Sequence, residues 1–206
     1  MVRLPPLLSR RARMVGDGEI QRLLLDQGLI VLPSAACNSI RSFAKTSNSS
    51  DWSALGKRLM LHQEFEEART AFTRAQDLKM VAVATACCLR QLAYNTLEAR
   101  QRCDAFLKSA AAFGQCAVKA ENIEERHDHH AAAAGCYAQA GHHHAAIQFF
   151  ELAERYTEAA LHCLHNGRLD RAVLLIKKYT TNIDQETRER IQDAARLKYL
   201  KEKRPE

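Results

Sequence analysis

The sequence predicts an all-α protein, an α-solenoid of short antiparallel helical hairpins. Three observations predict it: only eight glycines and four prolines punctuate 206 residues, aromatic residues make up 6%, and alanines recur at fixed intervals between larger apolar side chains. Many strands joined by tight turns need more Gly, Pro and aromatic material than this. Helices that lie flush need small residues where they cross. An apolar content of 47% supplies a core and argues against disorder throughout.

Residues 1–50 read as a basic N-terminal arm, one short helix and a polar linker. Arg3, Arg10, Arg11 and Arg13 precede the first acid, Asp17. That is the charge pattern of a transit peptide, but Pro5-Pro6 breaks the amphipathic helix such a peptide needs, so a plain basic arm is the preferred reading. Residues 17–30 read as an amphipathic helix capped by Asp17, with Ile20, Leu23, Leu24 and Ile30 on one stripe. From Val31 to Ser50 the periodicity gives way to Ser, Asn and Thr after Pro33, which sets a boundary near residue 50. This start reads like the end of a preceding segment. No window reaches the roughly 18 apolar residues of a membrane span.

Residues 51–180 read as the repeat array. Ser49, Ser50 or Asp51 is placed to cap the helix that Trp52 opens. Trp52-x2-Leu55-Gly56-x2-Leu59 is followed by Phe65-x2-Ala68-x3-Phe72-x2-Ala75, a spacing that folds two short helices together with Gly56 and Ala68 at their closest approach. One repeat later, about 34 residues on, Leu89 and Phe106 fall in register but Arg90 and Arg102 replace the small residues. Met80–Ala93 and Ala99–Phe113 still carry helical periodicity, and Cys116–Glu125 is read as a shorter helix. Further on, His130-x2-Ala133-x3-Tyr137, His143-x2-Ala146-x3-Phe150, Tyr156-x2-Ala159-x3-Cys163 and Leu169-x2-Ala172-x3-Ile176 start thirteen residues apart. Thirteen residues make about ten of helix, roughly 15 Å, plus a tight turn, and Gly141 and Gly167 sit where those turns belong. Residues 181–206 read as a C-terminal capping helix and charged tail. That helix, about 184–201, faces Ile191, Ala194, Ala195 and Leu197 inward.

The Trp52 to Ala75 pattern resembles a tetratricopeptide (TPR) repeat. Seven of its eight positions hold the usual residue type or a close substitute, and Met80 stands where Pro is usual. At the level of arrangement, Asp51 to Arg90, Phe106-Leu107-Lys108-x-Ala110-Ala111-x-Phe113 and the alanine units together resemble a longer array. That array follows the helicase core in the TPR and ankyrin repeat-containing proteins that carry a UvrD-like helicase. The resemblance covers roughly residues 17–180 and implies a helicase-associated accessory or scaffold module. The Gly-x4-Gly-Lys-Ser/Thr phosphate loop is absent from the sequence, so ATP hydrolysis and unwinding are not implied.

A TPR groove is lined by the first helix of each pair, which makes Ser53, Lys57, Met60 and Leu61 the expected partner contacts. In repeats that clamp a carboxylate, Lys and Asn stand where Ser53 and Lys57 stand here, so that clamp is incomplete. Nine histidines include His127, His129 and His130 and, one unit on, His142, His143 and His144. Such clusters suggest zinc or nickel or a pH-sensitive surface, yet His130 and His143 fall in the packing slot of Tyr156 and Leu169, so no metal site or cofactor is expected. Cys136 lies on a face the register buries, which favours a structural cysteine over a nucleophile. Glu66-Glu67 and Glu124-Glu125 read as solvated helix faces.

The net charge of +6 raises nucleic acid as a partner, but acids intersperse the basic residues, and Trp52 is committed to the repeat core. Seven cysteines without a Cys-x-x-Cys pair suit a reducing compartment, cytoplasmic or nuclear. The expectation is a non-enzymatic scaffold that binds another protein. The alternatives are a nucleic-acid accessory module and a His-rich metal-binding protein.

Overall fold

The computed structural model describes residues 48–202, and among them every regular element is helical. In order these are α1 (Ser49–Leu61), α2 (Phe65–Ala75), α3 (Leu78–Asn95), α4 (Ala99–Val118), α5 (Ile123–Gln139), α6 (His143–Leu152), α7 (Tyr156–His165), α8 (Leu169–Lys178) and α9 (Gln185–Glu202). The described residues divide into two compact units, the first ending at Cys88 and the second beginning at Leu89, and the division falls within α3. The basic arm, the 17–30 helix and the linker up to residue 47 lie outside the described residues.

In the first unit α1 begins one residue earlier than its expected caps allow. Asn48 is the cap: its Oδ1 accepts from Asp51 N at 2.9 Å, while Asn48 N donates back to Asp51 Oδ2 at 3.2 Å. This reciprocal box satisfies two of the donors a helix start leaves open. Ser49 and Ser50 are instead helical, and the Ser49 hydroxyl donates to Ala75 O at 2.7 Å, tying the start of α1 to the end of α2. Trp52, Leu55, Ala71 and Ala75 bury together, and Ala68, Phe72 and Ala84 form a second cluster with Met60, Met80 and Val81 against it. The Arg74 guanidinium lies 5.6 Å from the centre of the Trp52 ring. Gly56 is the close approach: a β-carbon there would lie 2.6 Å from Phe72 Cε1.

In the second unit consecutive helices pack on one another from α4 to α9. Ala133, Ala146, Ala159 and Ala172 are all at 0% exposure, so the recurrent alanine does seat one helix on the next. The cluster around α7 and α8 comprises Ile147, Ala159, Ala160, Cys163, Ala172, Leu175, Ile176, Ile183 and Ile191. Two elements differ from expectation. Cys116 to Glu125 is not a helix but the end of α4, a turn and the start of α5. His130 does not open a helix, because α5 starts at Ile123 behind an Asn122 cap whose Oδ1 accepts from Glu125 N at 2.7 Å. In α9, Ile191 is buried and Ala194 and Ala195 are half-buried, but Leu197 is 60% exposed.

One turn recurs. Its penultimate residue is left-handed (Gln63, Gln76, Gly141, Glu154, Gly167), and the next N–H reaches back five residues. Glu64 N donates to Leu59 O, Asp77 N to Phe72 O, His142 N to Tyr137 O, Arg155 N to Phe150 O and Arg168 N to Cys163 O, at 2.9–3.0 Å. This is the Schellman closure, which satisfies carbonyls a helix end leaves open. The following helix begins at once, its fourth N–H bonding the carbonyl of that same turn residue, as Ala146 N does to His142 O at 3.0 Å.

Candidate functional site

The expected partner helix is α1. Its apolar stripe, Trp52, Leu55 and Gly56, is spent on the hairpin core, which leaves other positions to face outward. Lys57 is exposed, Leu61 is 82% exposed, and Ser53 is half-buried. Met60 is the exception, since it packs partly buried against Ala68, Phe72 and Ala84. Leu78, at the start of α3, is 81% exposed in the same unit, so two large aliphatic side chains stand in water close to hairpin ends.

The histidines separate into packing positions. His129 lies tilted against Phe113, ring centres 6.4 Å apart, with Nε2 3.6 Å from Glu125 Oε1; His130 meets Phe149 edge-on at 5.5 Å. Burial, with His127, Arg126 and His129 nearby, holds the His130 pKa below its ordinary value. His142 and His144 are exposed. His143 finds a partner that sequence reasoning missed: its Nδ1 is 3.2 Å from His162 Nε2, and Asn166 Nδ2 donates to His162 O at 2.7 Å. His143 opens α6 and His162 lies near the end of α7, so the contact follows from two ten-residue helices reversing through a short turn. Burial first, then His143, His165 and Arg168, lowers the His162 pKa. Two imidazoles are too few to hold zinc alone, and no group of three metal-ligating side chains occurs among the described residues.

All six described cysteines are free. Burial raises the Cys116 and Cys136 thiols; it pushes Cys163 to about 11 and, aided by Glu66, Cys88 to about 12. Thiols held in that range are poor nucleophiles at neutral pH. Glu66 and Glu124 are exposed, Glu67 and Glu125 half-buried.

A cavity of about 400 Å³ opens between α8 and α9, lined by Val173, Ile176, Lys177, Thr180, Arg188, Gln192, Ala195 and Arg196. Positions 173, 176, 177 and 180 form one stripe of α8 and its extension, and 188, 192, 195 and 196 the matching stripe of α9. Of this α9 stripe, sequence reading took only Ala195 as core.

No protein-family model, curated protein or solved structure matches the chain. No helix among the described residues is long and apolar enough to cross a membrane.

Proposed function

We propose that the chain is a non-enzymatic, TPR-like α-solenoid scaffold that binds another protein through side chains at its hairpin ends. The observation that carries this reading is the repeated joint: five turns close with the same backbone hydrogen bonds, and four of the five helices that follow place a fully buried alanine at their fourth residue (Ala68, Ala146, Ala159, Ala172). A fold made by reusing one joint presents rows of equivalent side chains, which suits contact along an extended surface. Ser53, Lys57 and Leu61 are the contact residues favoured on α1, with Met60 acting from beneath. Inert, buried thiols suit the reducing cytoplasm or nucleus. The likeness to the array beside a UvrD-like helicase supports an accessory role within a larger assembly.

The test uses the exposed pair. Affinity capture with the wild-type chain and with Lys57→Glu/Leu61→Glu, two substitutions that leave the hairpin core intact, should return at least one protein that the variant loses. Identical captures from both would remove α1 as the contact helix. A gel-shift series across salt concentrations separates the nucleic-acid alternative, because phosphate-driven binding weakens steeply with salt.

A further inference from the structure

We propose that the cleft between α8 and α9 is a binding site for a small organic phosphate monoester. Three of its eight lining residues are cations (Lys177, Arg188 and Arg196) and none is an acid. Lys177 and Arg188 make no ion pair among the described residues; only Arg196 does, its Nη1 standing 3.2 Å from Asp193 Oδ1. The neighbouring basic residues are engaged otherwise: Arg171 and Lys178 share Glu151, and Lys198 holds Asp170. The two cations facing the cleft are therefore ones the fold has not neutralised.

Arg188 supplies the second observation. Its Nε is buried and has no hydrogen-bond partner among the described residues. A buried guanidinium N–H without an acceptor costs free energy, and an oxygen ligand in the cleft recovers it. The guanidinium fork and an ammonium matched to one dianionic headgroup are the ordinary chemistry of phosphate recognition. A phosphate monoester carries about −1.5 to −2 charge at neutral pH, which two unpaired cations balance. The Thr180 hydroxyl already donates to Ile176 O at 2.8 Å, so the further neutral donor on offer is the Gln192 amide.

The remaining wall sets the rest of the ligand. Val173, Ile176 and Ala195 are apolar, and about 400 Å³ falls within the range of pockets for small organic molecules rather than that of a bare ion. The fit is to a phosphate on a compact apolar or aromatic body, held with the headgroup at Arg188 and Lys177.

Titration of the full chain with phenyl phosphate, inorganic phosphate and phenol, followed by calorimetry, tests the assignment. Phenyl phosphate should bind, with inorganic phosphate and phenol each about tenfold weaker or more, since the charge-assisted bonds and the apolar wall each contribute. Arg188→Gln should cut phenyl phosphate affinity by about tenfold or more. If Arg188→Gln fails to fold, Lys177→Ala, an exposed substitution, should still cut it several-fold. Equal binding of phenol and phenyl phosphate, or affinity unchanged in Lys177→Ala and Arg188→Gln, overturns the proposal. So does a single-stranded oligonucleotide that displaces phenyl phosphate and binds tighter, which would assign the cleft to a nucleic-acid backbone.

Discussion

Replacing Gly56 with alanine tests the packing argument at the place where it is sharpest. An alanine inside an exposed helix normally stabilises it by about 1 kcal/mol over glycine. At Gly56 the added β-carbon meets Phe72 Cε1 at 2.6 Å and Cδ1 and Cζ at 2.8 Å. Restoring ordinary contact requires the ring to retreat by about 0.8 Å. Phe72 is at 0% exposure among Ala68, Ala84, Met60, Met80 and Val81, so it retreats only by displacing them. Overpacking of that kind costs about 1–3 kcal/mol, and after the gain in helix propensity a net loss of about 1 kcal/mol remains.

The assay is built into the chain. Trp52 is the only tryptophan and stands one turn before Gly56, so its fluorescence in a urea titration is read from within this hairpin. Gly56→Ala should lower the midpoint. Gly135→Ala, in α5 where a β-carbon meets nothing within 4 Å, should raise stability by about 0.5–1 kcal/mol when followed by circular dichroism. Adding Phe72→Leu should make the Gly56→Ala step cheaper than it is alone, a coupling that a double-mutant cycle measures. A Gly56→Ala midpoint at or above wild type would show that α1 and α2 do not meet at this glycine.

Other perturbations probe the joints and the buried rings. Gly167→Ala, at a φ of +68°, should cost about 1 kcal/mol, whereas Glu154→Gly, at +56°, should gain about 0.5 kcal/mol, both read as shifts in thermal unfolding. Asn48→Ala removes the acceptor of the capping box and should cost about 1 kcal/mol by Trp52 fluorescence. His130 and His162 both titrate below their ordinary value of 6.5 in the fold, so the unfolded chain binds their protons first. Their contribution is therefore complete above about pH 6.5 and is lost as pH falls through their lowered folded values. Urea midpoints measured from pH 7.5 to 5 should fall, and His162→Phe should flatten that slope; a slope unchanged by the substitution would exclude His162 as a source.

The core was legible because small residues at crossings leave a periodic trace. Trp52, Gly56, Ala68 and Phe72 could be placed from spacing alone, and so could the four later alanines. The His143–His162 contact left no such trace, since its members stand nineteen positions apart and meet only because α6 and α7 reverse direction. Histidine counting pointed instead to neighbours along the chain, and these spread over different packing surfaces. The α8–α9 cleft was hidden for a related reason: Lys177, Arg188 and Arg196 belong to separate helices, and each reads singly as solvated surface. Only the burial of Arg188 Nε sets it apart from the other arginines, and burial of one atom is not written in a sequence.

The turns show how a register persists where its usual residue does not. Glycine marks two of the five left-handed positions, and glutamine or glutamate holds the other three. Reading turns from glycine alone therefore finds Gly141 and Gly167 and passes over Gln63, Gln76 and Glu154. Yet 63 and 76, and 141, 154 and 167, are each thirteen apart, and the sixty-five residues from 76 to 141 are five such steps. Within that interval the step positions are Leu89, Arg102, Gln115 and Asp128, all of which lie inside α3, α4 or α5. Leu, Arg and Gln are good helix formers, and all four step positions are run through within longer helices instead of being broken into ten-residue ones. Strain explains why such a register is tolerated at non-glycine joints. A left-handed residue costs about 1–2 kcal/mol, but each joint gains its Schellman bond and positions the next helix start against a buried neighbour. The packing across each joint, more than the residue within it, fixes where the chain turns.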